Sequence, residues 1–302
     1  MLKLILTSFR RHPSLSALLS SLHTERHALV HGLGGSSSAF LASALLDSAS
    51  HHGNRSILAV LPSEEEALAF HDDVEGVLGT ERVLFFPERD IAPYEPVDSH
   101  FEVRSRRVEA IDSIERGWNG LVVATVGALH DPTAPPGLIN LVSLDVRKGG
   151  RVSFDEFVRS LAGRGFKRQN AVSAAGQMAV RGGIVDVFPF GGEIPYRIEF
   201  WGDEIESIRS FSTSTQRSLE NVDMIRIIPP DECITEAGID PVDDRRMQRI
   251  ERDAGISLER LRKAFAGGDR PNGVEQYLHV VFGSKASLLS YFAPSDIVML
   301  FD

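Results

Sequence analysis

Short uncharged apolar runs alternate with amphipathic runs over the first half of the chain. Residues 57–61, 83–86 and 121–126 are such runs, and residues 28–31 form a fourth, shorter one. Continuous apolar strands are typical of a sheet buried on both faces. The run at 57–61 is followed by Ser63, an N-cap residue placed three positions before Glu66. The alternation predicts a parallel sheet covered by helices, preceded by a helical arm over residues 1–25.

The pattern changes after a Pro-rich break at residues 132–137. Residues 153–165 carry apolar side chains at helical spacing, with Ser153 at the capping position. A strand is expected at 184–188, after Gly182-Gly183. Two extended runs, 196–201 and 204–211, flank Gly202-Asp203 and predict a β-hairpin. Beyond it the chain is mostly helical, with helices expected at 245–254, 257–265 and 274–282 and a last strand at 297–301.

Composition and charge narrow the classes of function. The chain has 302 residues and a net charge of −10, which disfavours tight, non-specific binding to nucleic acid. Its one cysteine, Cys233, excludes an intrachain disulfide, and no Cys/His cluster has zinc spacing. No apolar run reaches the ~18 residues that span a bilayer. We expect a cytoplasmic protein with no membrane segment.

A glycine-rich turn lies where a phosphate-binding loop would belong. The Walker A template is Gly-x-x-x-x-Gly-Lys-Ser/Thr, and Gly32 matches its first glycine. Gly35 lies inside the loop, but Ser38 replaces the lysine and Ala39 replaces the hydroxyl that holds magnesium. Because both charge-handling groups are missing, the favoured interpretation is a degenerate phosphate loop that serves as a structural turn.

Other clusters of polar residues are explained more simply as surface. His51-His52, His71 and Asp72-Asp73 have no metal-ligand spacing and are expected on helix surfaces. Neither a metal nor a cofactor is expected, and no catalytic constellation is recognised.

Three arginines, Arg104, Arg106 and Arg107, precede an apolar helical pattern in the sequence. They allow either a phosphate-contacting patch or a solvated helix face, and the solvated face is favoured.

The hairpin carries the more informative pattern. Period-2 alternation places Ile198 and Phe200 on one face of the strand and Arg197, Glu199 and Trp201 on the other. Arginine and tryptophan on an outer sheet face are typical of a protein interface. The alternative is that Trp201 packs under a loop and the arginines pair with acids. The pattern alone leaves both open.

Three segments resemble the UvrB/Mfd family: residues 181–189 (RGGIVDVFP), 195–209 (PYRIEFWGDEIESIR) and 85–95 (FFPERDIAPYE). The resemblance covers nearly the whole chain. It implies an α/β fold with a helicase-like parallel-sheet domain 1a at 26–143, whose P-loop is degenerate. It also implies a small α+β domain 2 at 144–226, an antiparallel sheet with a helix. A mostly helical domain 1b is implied at 1–25 and 227–302.

Two departures separate this chain from UvrB and favour the transcription-repair coupling branch, Mfd. The phosphate loop is not intact, and Tyr94-Glu95-Pro96 is followed too closely by Arg104 for the damage-probing hairpin of UvrB. The resemblance then implies a non-catalytic module that docks UvrA and so couples stalled RNA polymerase to nucleotide excision repair. In that family RNA polymerase and double-stranded DNA are bound by other domains, one of them an ATP-dependent translocase. Weak DNA binding or none is expected here.

The family's UvrA contacts fall on Arg181, Arg197 and Trp201. The alternative function is a UvrB-type protein that binds damage and remodels DNA with ATP.

Overall fold

A computed structural model describes residues 2–25, 27–50, 56–92, 95–192, 194–233, 244–255, 257–266 and 271–301. They form two compact units. The first comprises residues 1–89, 113–131 and 287–302, and the second comprises residues 90–112 and 132–286. The three-part division into domains 1a, 2 and 1b stays a prediction. In the ranges just given, no helix is both long and apolar enough to cross a membrane.

The helices of the described residues are, in chain order, α1 (Leu2–Arg10), α2 (Pro13–Thr24), α3 (Ser37–Ser50), α4 (Glu64–Leu78), α5 (Phe101–Glu115), α6 (Val126–His130), α7 (Leu138–Val142), α8 (Phe154–Gly163), α9 (Asp244–Ala254), α10 (Glu259–Ala266) and α11 (Leu278–Phe282). The strands are β1 (Ile57–Leu61), β2 (Val83–Phe86), β3 (Leu121–Thr125), β4 (Leu144–Arg147), β5 (Lys167–Arg168), β6 (Gln177–Arg181), β7 (Ile184–Val187), β8 (Tyr196–Trp201), β9 (Glu204–Phe211), β10 (Ser218–Asn221), β11 (Met224–Ile227) and β12 (Ile297–Leu300).

The first unit is built on the predicted parallel sheet. Its strand order is β12-β1-β3-β2, and every pairing is parallel. All residues of β1 and β3 are buried, as their uncharged sequences require. Leu6 of α1 and Leu15 of α2 join the same apolar core. The predicted strands at 57–61 and 83–86 are confirmed, and the one predicted at 121–126 ends one residue earlier.

The strand predicted at residues 28–31 is wrong. These residues have no regular secondary structure and pair with no described strand, and Leu29 is 81% exposed. Gly32 follows with a φ of +78°, a left-handed conformation that glycine adopts without strain. An apolar run becomes a strand only where a neighbouring strand takes up its backbone hydrogen bonds, and the edge it would need is not beside it.

The start of α4 follows its sequence signal. The Glu66 N–H donates to Ser63 Oγ at 3.3 Å, and the Ser63 hydroxyl donates to the Glu66 carboxylate at 2.9 Å. One of the unpaired N–H groups at the helix start is thereby satisfied.

The second unit contains a mixed sheet of order β10-β9-β8-β7-β6-β5, in which only the β5–β6 pairing is parallel. The predicted hairpin is confirmed as β8 and β9. Helix α8 covers the inner face, where Phe154 and Phe157 contact Phe200 with ring centroids 5.2 and 5.5 Å apart. Ser153 lies at the cap of α8 without a side-chain bond to the helix; instead the Phe154 N–H donates to Asp203 Oδ1 at 3.1 Å.

Strands β4 and β11 pair antiparallel, and their residues Val146, Ile225 and Ile227 belong to the core beneath the six-stranded sheet. The helices α9, α10 and α11 of the second unit form a separate small core. Cys233, Met247 and Leu278 are among the buried residues that hold α9, α10 and α11 together. The helix predicted at 274–282 is a 3-10 turn, Val274–Tyr277, followed by α11.

Candidate protein-docking surface

Two arginines of the outer face of the six-stranded sheet converge on one buried carboxylate. Asp186 of β7 lies directly opposite Arg197 of β8, and Arg181 ends the neighbouring β6. Arg197 donates to both Asp186 oxygens, from Nε at 2.7 Å and from Nη2 at 2.9 Å. Arg181 Nη2 donates to Asp186 Oδ2 at 2.6 Å. Asp186 has no exposed surface, so its charge is balanced only by these neighbours.

The two arginines differ in how firmly they are held. The side chain of Arg197 is 17% exposed, and its guanidinium lies over the Phe211 ring, with Cζ 5.0 Å from the ring centroid. Hydrogen bonds with Asp186 raise the pKa of Arg197, against the opposing effect of burial. The Arg181 side chain is 53% exposed. Arg197 is therefore a fixed part of the sheet, whereas Arg181 presents its guanidinium to solvent.

Trp201 lies at the end of β8, beside the Gly202-Asp203 turn, and is 80% exposed. Ile198 and Phe200 are buried, so the predicted alternation of faces is correct. The two alternatives each hold in part: Trp201 does not pack under a loop, but both arginines do pair with an acid.

The outer face also carries a carboxylate that the sequence analysis placed there without assigning it a partner. Glu199 accepts a hydrogen bond from Ser207 Oγ at 2.7 Å and forms an ion pair with Arg209. The hydrogen bond from Ser207 lowers the pKa of Glu199, and Arg209 lowers it as well, whereas burial opposes both by raising it. The outer face is thus a set of paired charges, with more basic than acidic groups.

Asp186 is the functional residue that sequence reasoning missed. Its signal was present, because it is a single acid inside the apolar strand of residues 184–188. A buried acid needs a charged partner, and the nearest arginines in sequence flank the turns on either side of that strand. The strand β6 was missed as well, although Gly182-Gly183 between two apolar runs is a hairpin signal.

The glycine-rich turn is placed before α3, as expected. Gly32 and Gly35 have φ values of +78° and +54°, and α3 begins at Ser37. Ser37 Oγ accepts from the Gly34 N–H at 2.8 Å. Ser38 is half-buried in the first turn of α3, and Ala39 has no exposed surface.

We expected Arg104, Arg106 and Arg107 to lie on a solvated helix face, and this prediction is wrong for Arg104 and Arg107. All three arginines lie inside α5 rather than before it. Arg107 is fully buried, and its Nε donates to Glu232 at 2.7 Å. Arg104 pairs with Asp231 at 3.0 Å, and Arg106 alone of the three is exposed. The helix face is buried because acids from a distant segment neutralise it.

His71 belongs to the first unit, whereas the arginines and Trp201 described above belong to the second. His51-His52 are outside the described residues. In α4, His71 Nδ1 lies 3.5 Å from Asp72 and 3.9 Å from Glu75, in one partly exposed turn, and Asp73 is exposed. Among the described residues, His71, Asp72 and Glu75 are the one group whose possible ligand atoms lie close together.

The segment that matches a known protein family contains the residues of this surface. Residues 144–232 match the model of the UvrB interaction domain, and they include Arg181, Asp186, Arg197 and Trp201. Residues 144–232 of the second unit are thus similar to the UvrB interaction domain, and the resemblance found in the sequence is confirmed.

The relatives that the chain matches include the transcription-repair-coupling factors of three organisms. The chain is 27% identical to that of Bacillus subtilis over 99% of its own length, and 27% identical to that of Escherichia coli K12 over 88%. It is 31% identical to that of Staphylococcus aureus USA300 over 61%. The chain spans 26%, 23% and 16% of these relatives, respectively. It is thus a homologue of part of the transcription-repair-coupling factors.

Proposed function

We propose that this chain docks UvrA through the outer face of the six-stranded sheet, and so links stalled RNA polymerase to nucleotide excision repair. The observation that carries the proposal is the convergence of Arg181 and Arg197 on buried Asp186 inside a UvrB interaction domain. Arg181, Arg197 and Trp201 are the contacts that the family resemblance implies.

The three residues have different tasks in this proposal. Arg181 offers a half-exposed guanidinium that can hold a carboxylate through parallel hydrogen bonds. Trp201 supplies a large exposed apolar side chain, of the kind that anchors interfaces. Arg197 is mostly buried and acts chiefly by fixing Asp186, which in turn fixes Arg181. The partner surface is therefore acidic, with an apolar recess for the indole.

The chain itself is proposed to be non-catalytic. Ser38 and Ala39 stand where a nucleotide site needs a lysine and a hydroxyl. We assign translocation on double-stranded DNA and binding of RNA polymerase to other parts of the coupling factor. We propose a cytoplasmic location, because the proposed partners act on chromosomal DNA.

Direct binding to purified UvrA tests the proposal. Biolayer interferometry would compare the wild-type chain with Arg181→Ala, Trp201→Ala and the control Arg147→Ala. Arg147 is an exposed arginine of the same domain, on β4. Loss of the Arg181 side chain should cost about 2–5 kcal/mol of binding free energy, as for one member of a desolvated pair.

Trp201→Ala should weaken binding, and Arg147→Ala should not change it. If Arg181→Ala and Trp201→Ala both bind UvrA with wild-type affinity, the proposed interface is refuted. If the wild-type chain does not bind UvrA, the proposed function is refuted. Thermal melts of each variant separate lost contacts from lost folding.

A further inference from the structure

The six-stranded sheet has an open edge beside Val180. Strand β5 pairs with β6 only as far as Met178, whose C=O accepts the Gln169 N–H at 2.8 Å. Backbone groups of alternate residues in a strand point to the same side. The N–H and C=O of Val180 therefore point to the side that β5 covers at Met178, beyond the point where β5 ends.

Two adjoining cavities lie along this edge and share Arg168 and Val180. The first, of about 490 Å³, is lined by Arg168, Gln169, Asn170, Val180 and Arg181. The second, of about 320 Å³, is lined by Phe154, Asp155, Val158, Arg159, Arg168 and Val180. Together they form one groove, here called the edge groove, which runs from α8 to Arg181 on the docking face.

The edge groove is basic in a chain of net charge −10. Arg159 and Arg168 are exposed, and neither forms an ion pair with any carboxylate of the described residues. Asp155 is the one acid of the lining. Val158 and Val180 provide partly buried apolar surface between the arginines.

We propose that the edge groove binds an extended acidic segment of the docking partner, added as a strand beside Val180. Strand addition supplies backbone hydrogen bonds, and side chains at alternate positions supply specificity. Carboxylates of the segment meet Arg159 and Arg168, and an apolar side chain covers Val158 and Val180. The inference rests on the proposed function, because the groove is continuous with that docking face at Arg181.

The charge arm of the test measures UvrA binding to Arg168→Glu and Arg159→Glu, with Arg147→Glu as the matched control. Each of these two charge reversals should weaken UvrA binding about tenfold and reduce the salt dependence of binding, because it replaces attraction to the acidic segment by repulsion. Arg147→Glu should bind like wild type. Groove reversals that bind like wild type overturn the inference.

The backbone arm uses Val180→Pro. Proline removes the N–H that points to the open edge and leaves the pairing of β6 with β7 intact, a placement that edge strands tolerate. Weakened UvrA binding with an unchanged thermal melt supports strand addition, and unchanged binding by the folded variant overturns it. If Val180→Pro does not fold, the two reversals decide.

The two hypotheses fail in different ways. A wild-type chain that does not bind UvrA overturns the docking function itself. Binding that is lost in Arg181→Ala but kept in both groove reversals overturns only the edge groove.

Discussion

Arg197 binds both carboxylate oxygens of Asp186 through two hydrogen bonds, of 2.7 and 2.9 Å, and Asp186 has no exposed surface. Arg197, which we expected at an interface, thus has a structural role as the ion-pair partner of a buried acid. Arg181 reaches the same carboxylate but stays half-exposed. The proposed docking face is held in place by an acid that a partner protein cannot reach.

Removing Arg197 should destabilise the fold strongly. Arg197→Ala leaves the buried Asp186 with a single, half-exposed partner, and breaking a buried pair in this way costs about 3–5 kcal/mol. Arg181→Ala should cost about 1 kcal/mol or less, because Asp186 keeps both bonds to Arg197. Urea unfolding of the two variants measures the difference. Equal stabilities would mean that Arg197 is not the main partner of Asp186.

The Glu199 contacts predict a pH-dependent contribution to stability. The pKa of Glu199 is lowered from 4.5 in the folded state, so its ionised form is favoured by folding. That contribution is complete above pH 4.5 and is lost as the pH falls through the lower, folded-state pKa. Glu199→Gln should therefore be less stable than wild type at pH 7, and the difference should shrink below pH 4.5. A difference that stays constant over this range would contradict the assignment.

The two substitutions that would introduce the Walker A residues, Ser38→Lys and Ala39→Thr, should differ in their cost to stability. Ser38→Lys, in the first helical turn, places a cation at the positive end of the α3 dipole and should cost at most about 1 kcal/mol. Ala39→Thr inserts atoms at a position with no exposed surface and should cost about 1–3 kcal/mol. Thermal melts measure both.

Neither replacement, alone or combined, is expected to confer magnesium-dependent ATP hydrolysis, because a phosphate loop alone lacks the water-positioning groups. Turnover that survives repurification of the double variant would contradict this expectation and favour the UvrB-type function.

Arg106 and Arg107 are neighbours in α5 and allow a matched comparison of an exposed arginine with a buried one. Arg107→Ala removes the guanidinium from the buried carboxylate of Glu232, which keeps its hydrogen bond from the Ala134 N–H, and should cost about 3–5 kcal/mol. Arg106→Ala, one residue earlier on an exposed position, should change stability by less than about 0.5 kcal/mol. Urea titrations of both variants provide the test, and similar costs would rule out the buried pair as the cause.

The sequence alone determined the elements whose signals are local. β1, β2 and the β8–β9 hairpin begin and end where the patterns predict, because an uncharged run or a period-2 alternation around Gly202-Asp203 lies within a few residues. The same alternation assigned the faces of β8 correctly. The resemblance of residues 181–189 and 195–209 to the UvrB/Mfd family also pointed to the segment that matches the UvrB interaction domain, since that segment is contiguous in the chain.

Only the tertiary structure decided which residues are partners. Arg107 meets Glu232 across 125 positions, and Asp296 beside β12 accepts the Ser56 N–H beside β1 across 240. Residues 28–31 carry the pattern of a strand but have no edge to pair with. Ion pairs and strand pairings depend on distance in space, and periodicity reports only the neighbours along the chain. The burial of Arg197 and the exposure of Trp201, two residues of one strand, follow from what packs over each.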